Sequence, residues 1–176
     1  MTLAYQRIIV HFSGKKWINL GWKGKRVFFG ETAITLDSKG RMAIPTRHRE
    51  ELLSVSNNRL VLTYSPFDSG ALWLYPEDEW KKVRDEVMAL STFAQSHRSL
   101  QRRLVGSATP IEPDANGRLL LPQTHRQVTG LEKRAVFMGM GTHFEIWNET
   151  TLSQKRAEEE RTLGDSTSEE MAKLVL

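Results

Sequence analysis

Two five-residue stretches carry most of the chemistry in this 176-residue chain: Asp37-Ser-Lys-Gly-Arg41 and Asp114-Ala-Asn-Gly-Arg118. Each sets a carboxylate, a glycine and an arginine at one fixed spacing, and three kinds of chemistry fit that set. A tight turn is the simplest: Asp bonds the backbone two residues on, Gly supplies positive φ, and Arg pairs with Asp. A carboxylate dyad is the second, with Asp37 and Asp114 sharing acid and base work. Its expected companions are missing, since the sequence holds no HxxxH, no nucleophile elbow and no phosphate loop. Nucleic-acid recognition is the third. A two-stranded β element fits the DNA major groove, where Arg forks onto guanine and Lys neutralises phosphate. Lys39 and Arg41 sit at the first turn, and Arg47 and Arg49 follow at the start of a short helix. The second turn keeps Arg118 and Arg126, but has Asn116 for Lys39 and Thr124 for Arg47. The first turn is therefore expected to be the DNA face, with Arg118 and Arg126 as possible secondary contacts. Asp37, Gly40, Asp114 and Gly117 shape the turns.

These turns belong to a longer repeat. Ile34–Arg49 has an echo at Ile111–Arg126, with Asp, Gly, Arg, Pro, His and Arg coinciding. Ala71–Glu77 likewise resembles His143–Glu149, at a slightly shorter separation. Each copy reads as strand, turn, strand, short helix, strand, strand, helix. Thr32–Leu36 alternates as a strand, and Arg41–Ile44 returns as one. Pro45 ends the ladder and opens a helix over Thr46–Leu53. Leu60–Thr63 and Leu72–Tyr75 form a hairpin. Trp80, Val83, Val87 and Leu90 recur at helical spacing, and Ser91 restarts a helix that turns Arg98, Arg102 and Arg103 outward to solvent. Thr151–Leu163 is a charged helix, and Ser166 or Ser168 caps a last short one. Copies of this size bury too little surface alone, so they are expected to pair as a pseudo-dimer with shared strands.

Composition narrows the function class. The chain is 39% hydrophobic and 26% charged, with no cysteine. That supports a globular core and excludes a disulfide scaffold, a thiolate zinc site and a cysteine nucleophile. No run reaches the ~20 apolar residues of a membrane helix. The five histidines fall in five separate contexts, and His48 and His125 are repeat equivalents. No catalytic residue, metal site, cofactor or small-molecule substrate is expected, and the chain is read as not an enzyme. The net charge of +4 misleads. Arg7, Lys15, Lys16, Lys23, Lys25 and Arg26 crowd residues 1–26, which hold no acid, and 27–176 are mildly acidic. A basic nucleic-acid arm is one reading of 1–26. The favoured one is an upstream stretch with a mis-assigned start, since valine at 27 can be encoded by the start codon GTG.

Val27-Phe-Phe-Gly30, Leu36-Asp-Ser-Lys-Gly-Arg41 and Ile44-Pro-Thr-Arg-His-Arg-Glu50, with Pro110–Arg126 and Phe144-Glu-Ile-Trp147, closely resemble the bacterial MraZ family over about residues 27–160. The resemblance implies an α+β, mainly β fold: a tandem AbrB-like swapped-hairpin β-barrel with peripheral helices. Its implied parts are an extension at 1–26, SpoVT-AbrB-like domains at 27–90 and 107–152, a linking helix at 91–106 and a helical tail at 153–176. It further implies a transcriptional regulator, as a repressor of its own division and cell-wall operon. Such a protein binds promoter direct repeats on double-stranded DNA as a ring homo-oligomer, in the cytoplasm on the nucleoid. Lys39 and Arg41 match the family's DNA-contacting positions. The rival expectation is a ring-forming interaction protein whose Asp/Arg turns lock subunits together. An antitoxin-like relative that binds DNA and a toxin is disfavoured by the full second copy.

Overall fold

The computed structural model describes residues 27–163. The expectations for 1–26 and for a last helix near Ser166 fall outside them. Elements are numbered in chain order: β1 (Phe28–Thr35), β2 (Arg41–Ala43), α1 (Thr46–Ser56), β3 (Leu60–Tyr64), β4 (Ala71–Pro76), α2 (Glu77–Met88), α3 (Gln95–Leu100), a π-helical turn (Gln101–Val105), β5 (Thr109–Ile111), β6 (Arg118–Leu120), α4 (Gln123–Thr129), β7 (Arg134–Gly141), β8 (Phe144–Asn148) and α5 (Glu149–Leu163). Prolines punctuate them as their chemistry requires. Pro45, Pro76 and Pro122 each stand immediately before a helix, where a missing N–H removes nothing from the ladder.

The fold is α+β and rich in sheet. β1, β7, β8, β4, β3 and β5 form one six-stranded sheet in that order, and β2 pairs with β6 in a separate ribbon. The pairings β1–β7, β4–β8, β3–β5 and β2–β6 all join one copy of the repeat to the other. Strand sharing therefore takes place as expected. Barrel closure does not: among the described residues the sheet is open, with β1 and β5 at its edges. The cause is local. The turn at Asp37 sends β2 away from β1, leaving only the bridge Leu36–Met42 between them.

The sheet packs on both faces. Leu60, Leu62, Leu72 and Leu74 face one core with Phe137, Phe144 and Ile146, and the ribbon closes that core with Met42, Ile44, Leu119 and Leu121. Met42 and Leu119 are register partners and fully buried. Each such side chain contributes about 1.5–3 kcal/mol, so the ribbon is fixed by what it buries. On the opposite face Val61 and Tyr75 pack on Trp80, Val87 and Leu104 from α2 and the π-helical turn. Alongside them α5 sets Leu152 on Ala71 and Trp147.

The helical connection differs from expectation in two places. The restart begins at Gln95 rather than Ser91, because Ser91 Oγ accepts the Phe93 N–H and holds a loop there. Two of its arginines are not simply solvated. Arg103 Nε donates to Ser65 O at 2.6 Å and Nη2 to Asp68 O at 3.0 Å, tying down the β3–β4 loop. Arg98 Nη1 donates to the carbonyls of Thr92 and Phe93.

Candidate nucleic-acid interface

The β2–β6 ribbon has a dry face and a wet one. Met42 and Leu119 point inward, so the alternation of strand side chains sends Arg41, Ala43, Arg118 and Leu120 outward. Arg41 lies opposite Leu120 and Ala43 opposite Arg118. The two arginines thus stand diagonally on one surface, about 7 Å apart along the strands at two residues' rise. The Asp37 turn projects from one end of the ribbon and the Asp114 turn from the other.

Each turn is built by its aspartate. Asp37 Oδ1 accepts the backbone N–H of Lys39 at 2.9 Å and of Arg41 at 3.0 Å. Its Oδ2 accepts Arg41 Nε at 2.7 Å and lies 2.7 Å from Nη2. Asp114 repeats the pattern on Asn116 N, Arg118 N and the Arg118 guanidinium, with Nε at 2.8 Å and Nη2 at 2.7 Å. The carboxylate takes one fork of each guanidinium. Among the described residues two of the five N–H donors are engaged, and the Nη1/Nη2 edge keeps a second fork. The donated backbone and side-chain bonds of Arg41 hold the Asp37 carboxyl down to about 2. The Arg118 side chain and backbone likewise hold Asp114 low, and Arg118 is raised by Asp114 with a further pull from Asp37. Two carboxyls both held low are ionised together. They do not have the divided protonation that an acid/base dyad needs.

Glycine in these turns is a steric requirement. Gly40 has φ +79° and Gly117 +70°, in the left-handed region. Each also carries an arginine from the other copy. A Cβ on Gly117 would stand 2.8 Å from Arg49 Nε, and one on Gly40 would collide with Arg126 Nε. Arg49 Nη2 donates to Ile44 O at 3.1 Å and Arg126 Nε to Leu121 O at 3.2 Å. The backbone repeats the exchange: Ile44 N donates to Gly117 O and Leu121 N to Gly40 O. Arg49 and Arg126, expected as DNA contacts, each lie against the glycine of the opposite turn and donate one hydrogen bond to a carbonyl of their own copy. Sequence reasoning missed this packing because it exists only across copies. The matched spacing of Gly40 to Arg49 and of Gly117 to Arg126 was its one trace.

Lys39 is exposed at the tip of the first turn, and Asn116 holds the equivalent place in the second. Arg47 is exposed at the start of α1, where its Nε donates to His48 Nε2 at 3.0 Å and its guanidinium lies over Gly30. The structure therefore brings Lys39, Arg41 and Arg118 to one ribbon, while the Arg47 guanidinium lies over Gly30 of β1. Leu120, exposed beside Arg41, was not singled out from sequence. Leu119-Leu120-Leu121 shows no alternation, and only its alignment with Ala43 tells which leucine faces out.

The chain is similar to known proteins. The family model described as "MraZ protein, putative antitoxin-like" matches residues 27–103 and again 104–173. The chain is 53% identical over 139 residues to the transcriptional regulator MraZ of Xanthomonas oryzae pv. oryzae, covering 79% of this chain and 92% of the relative. It is 52% identical over 139 residues to that of Stenotrophomonas maltophilia, with the same coverage. Against that of Marinobacter nauticus it is 42% identical over 137 residues, covering 76% and 91%.

Proposed function

The chain belongs to the MraZ family, and on that premise we propose that it is a DNA-binding transcriptional regulator that inserts its β2–β6 ribbon into the major groove of promoter direct repeats. The carrying observation is the pair of arginines on the ribbon's outward face, each aimed by an aspartate and, among the described residues, holding a free fork. A free fork suits the O6 and N7 of guanine. An offset of about 7 Å spans about two base-pair steps at 3.4 Å each. Lys39 meets phosphate at the groove edge, and Arg47 flanks it. Arg118 makes the secondary contact, while Arg49 and Arg126 keep the two turns in shape.

One ribbon offers few cations, so a single contact stays near the nonspecific range of about 10⁻⁴–10⁻⁶ M. Ring assembly delivers several ribbons at once, and avidity gains roughly 10²–10⁴. Operator boxes at constant spacing follow from that geometry. The regulated promoter is that of the chain's own division and cell-wall operon, repression comes from occupying it, and the protein works in the cytoplasm on the nucleoid.

The test is fluorescence anisotropy on promoter DNA carrying the repeats, with light scattering in parallel. Arg41→Ala abolishes specific binding and leaves the assembly intact. If operator affinity is undiminished, the assignment falls. If the oligomer falls apart instead, the Asp/Arg turns lock subunits and the rival reading stands.

A further inference from the structure

The outward face of the ribbon carries its side chains in two rows. Arg41 and Leu120 are register partners, and so are Ala43 and Arg118. The arginines take one diagonal of this face, and Ala43 and Leu120 take the other. Ala43 comes two residues after Arg41, and Leu120 two residues after Arg118, so they are repeat equivalents. An approximate twofold between β2 and β6 would exchange the arginines with each other and the alanine with the leucine. The arginines match under that exchange, whereas alanine and leucine do not.

Leu120 is 56% exposed, although Leu119 and Leu121 on either side are buried in the core. A single exposed leucine is ordinary on a protein surface. Its place here is not ordinary. It stands opposite Arg41, on the face that the proposed function turns toward the base edges. An apolar side chain pressed on hydrogen-bonding base edges strips water from them and returns no bond. The major-groove code offers one apolar group to meet it, the C5 methyl of thymine. Ala43 is exposed at the opposite corner, but its single methyl reaches less far. Lys39 and Asn116 also differ between the copies, yet a phosphate contact carries no sequence.

We propose that Leu120 is a specificity-determining residue: it packs on a thymine methyl beside the guanine read by Arg41, and so fixes the direction in which the ribbon lies on each repeat. The inference rests on the reading of the ribbon as the DNA-binding element and deepens it. Cross-strand partners stand about 4.5–5.5 Å apart, and base pairs about 3.4 Å, so the thymine lies within about two base pairs of that guanine. Two arginines alone present the same groups from either end of the ribbon. A leucine at one corner makes one orientation better than the other. The direct repeats of the proposed operator all point one way, and a head with matching ends could not follow them.

Fluorescence anisotropy tests this with the full chain and promoter DNA in which uracil replaces thymine at one chosen position of every repeat. Uracil pairs as thymine does and lacks only the C5 methyl. At one such position the wild type loses about fourfold in affinity per repeat engaged, the worth of one buried methyl. Leu120→Ala loses about as much on the unmodified operator and shows no further loss on the uracil one. Leu120→Gln, suited to N6 and N7 of adenine, lowers the preference for thymine over adenine at that position. Wild-type binding that ignores uracil at every position overturns the inference. So does a uracil penalty that both variants keep in full, because another residue then reads the methyl. Either result leaves the ribbon as the DNA reader so long as Arg41→Ala abolishes specific binding. Should Arg41→Ala bind like the wild type, the ribbon is not the reader, and this inference falls with that reading.

Discussion

The two turns of the ribbon share a skeleton and differ at the tip. Asp37 and Asp114 make the same set of bonds, and their arginines sit on the same face with similar exposure. Yet Lys39 stands where the second turn has Asn116, and exposed Arg47 where it has Thr124. Geometry is common to both copies, whereas charge is concentrated in one. On the proposed reading this is a division of labour: both turns would present a fork to a base, but only the first would bring extra cations to phosphate.

The strongest challenge to that division is Arg118→Ala beside Arg41→Ala. Loss of Arg118 is expected to weaken operator binding by about 1–3 kcal/mol per contact, read by anisotropy, while Arg41→Ala removes specific binding. Equal losses would mean that the copies read DNA alike. A milder probe exchanges the tips. Lys39→Ala weakens binding to every sequence and lowers the salt slope by about one, and Asn116→Lys strengthens it and raises the slope by about one. Unchanged slopes would place both tips away from phosphate.

The smallest effect concerns the paired histidines beneath the turns. His48 and His125 are both buried, and desolvation holds both below the ordinary histidine value of 6.5. The unfolded chain binds these protons more readily, so stability is full above about pH 6.5 and falls as pH drops below it. Arg47 lowers His48 further while Glu51 raises it, and the Ser107 carbonyl bonded to His125 favours that cation. His48→Gln and His125→Gln should each flatten the acid limb of the melting curve. An unchanged limb would show that the substituted histidine does not carry it.

Much of the fold was legible before the structure. The repeat, the Asp-x-x-Gly turns, the helix after Pro45 and the β3–β4 hairpin are written in local patterns of turn residues and alternation. What escaped was tertiary. Open sheet order against a closed barrel depends on where β2 goes after its turn, and no residue between Asp37 and Ile44 states its partner. Arg98 and Arg103 look like an exposed helical stripe, because the carbonyls they bind are set by a loop fold. Glu145 gave no signal at all. It lies between the indole N–H groups of Trp73 and Trp147, and although burial pushes its carboxyl up, these donors and His143 carry it lower. Of the candidate site, Lys39 and Arg41 were singled out by type and spacing. The packing of Arg49 and Arg126 on the opposite turns was not legible, since it depends on the other copy.

That reciprocal bracing has a consequence for how such a chain can be cut or diluted. Arg126 lies against Gly40 of the first turn and Arg49 against Gly117 of the second, so each turn, though shaped by its own aspartate, packs on a side chain of the other half. A fragment holding one half would need to borrow the missing arginine from another molecule. Fusion of the halves makes that loan permanent. Each reading head therefore keeps its shape however scarce the protein becomes, and scarcity governs only how many heads arrive together.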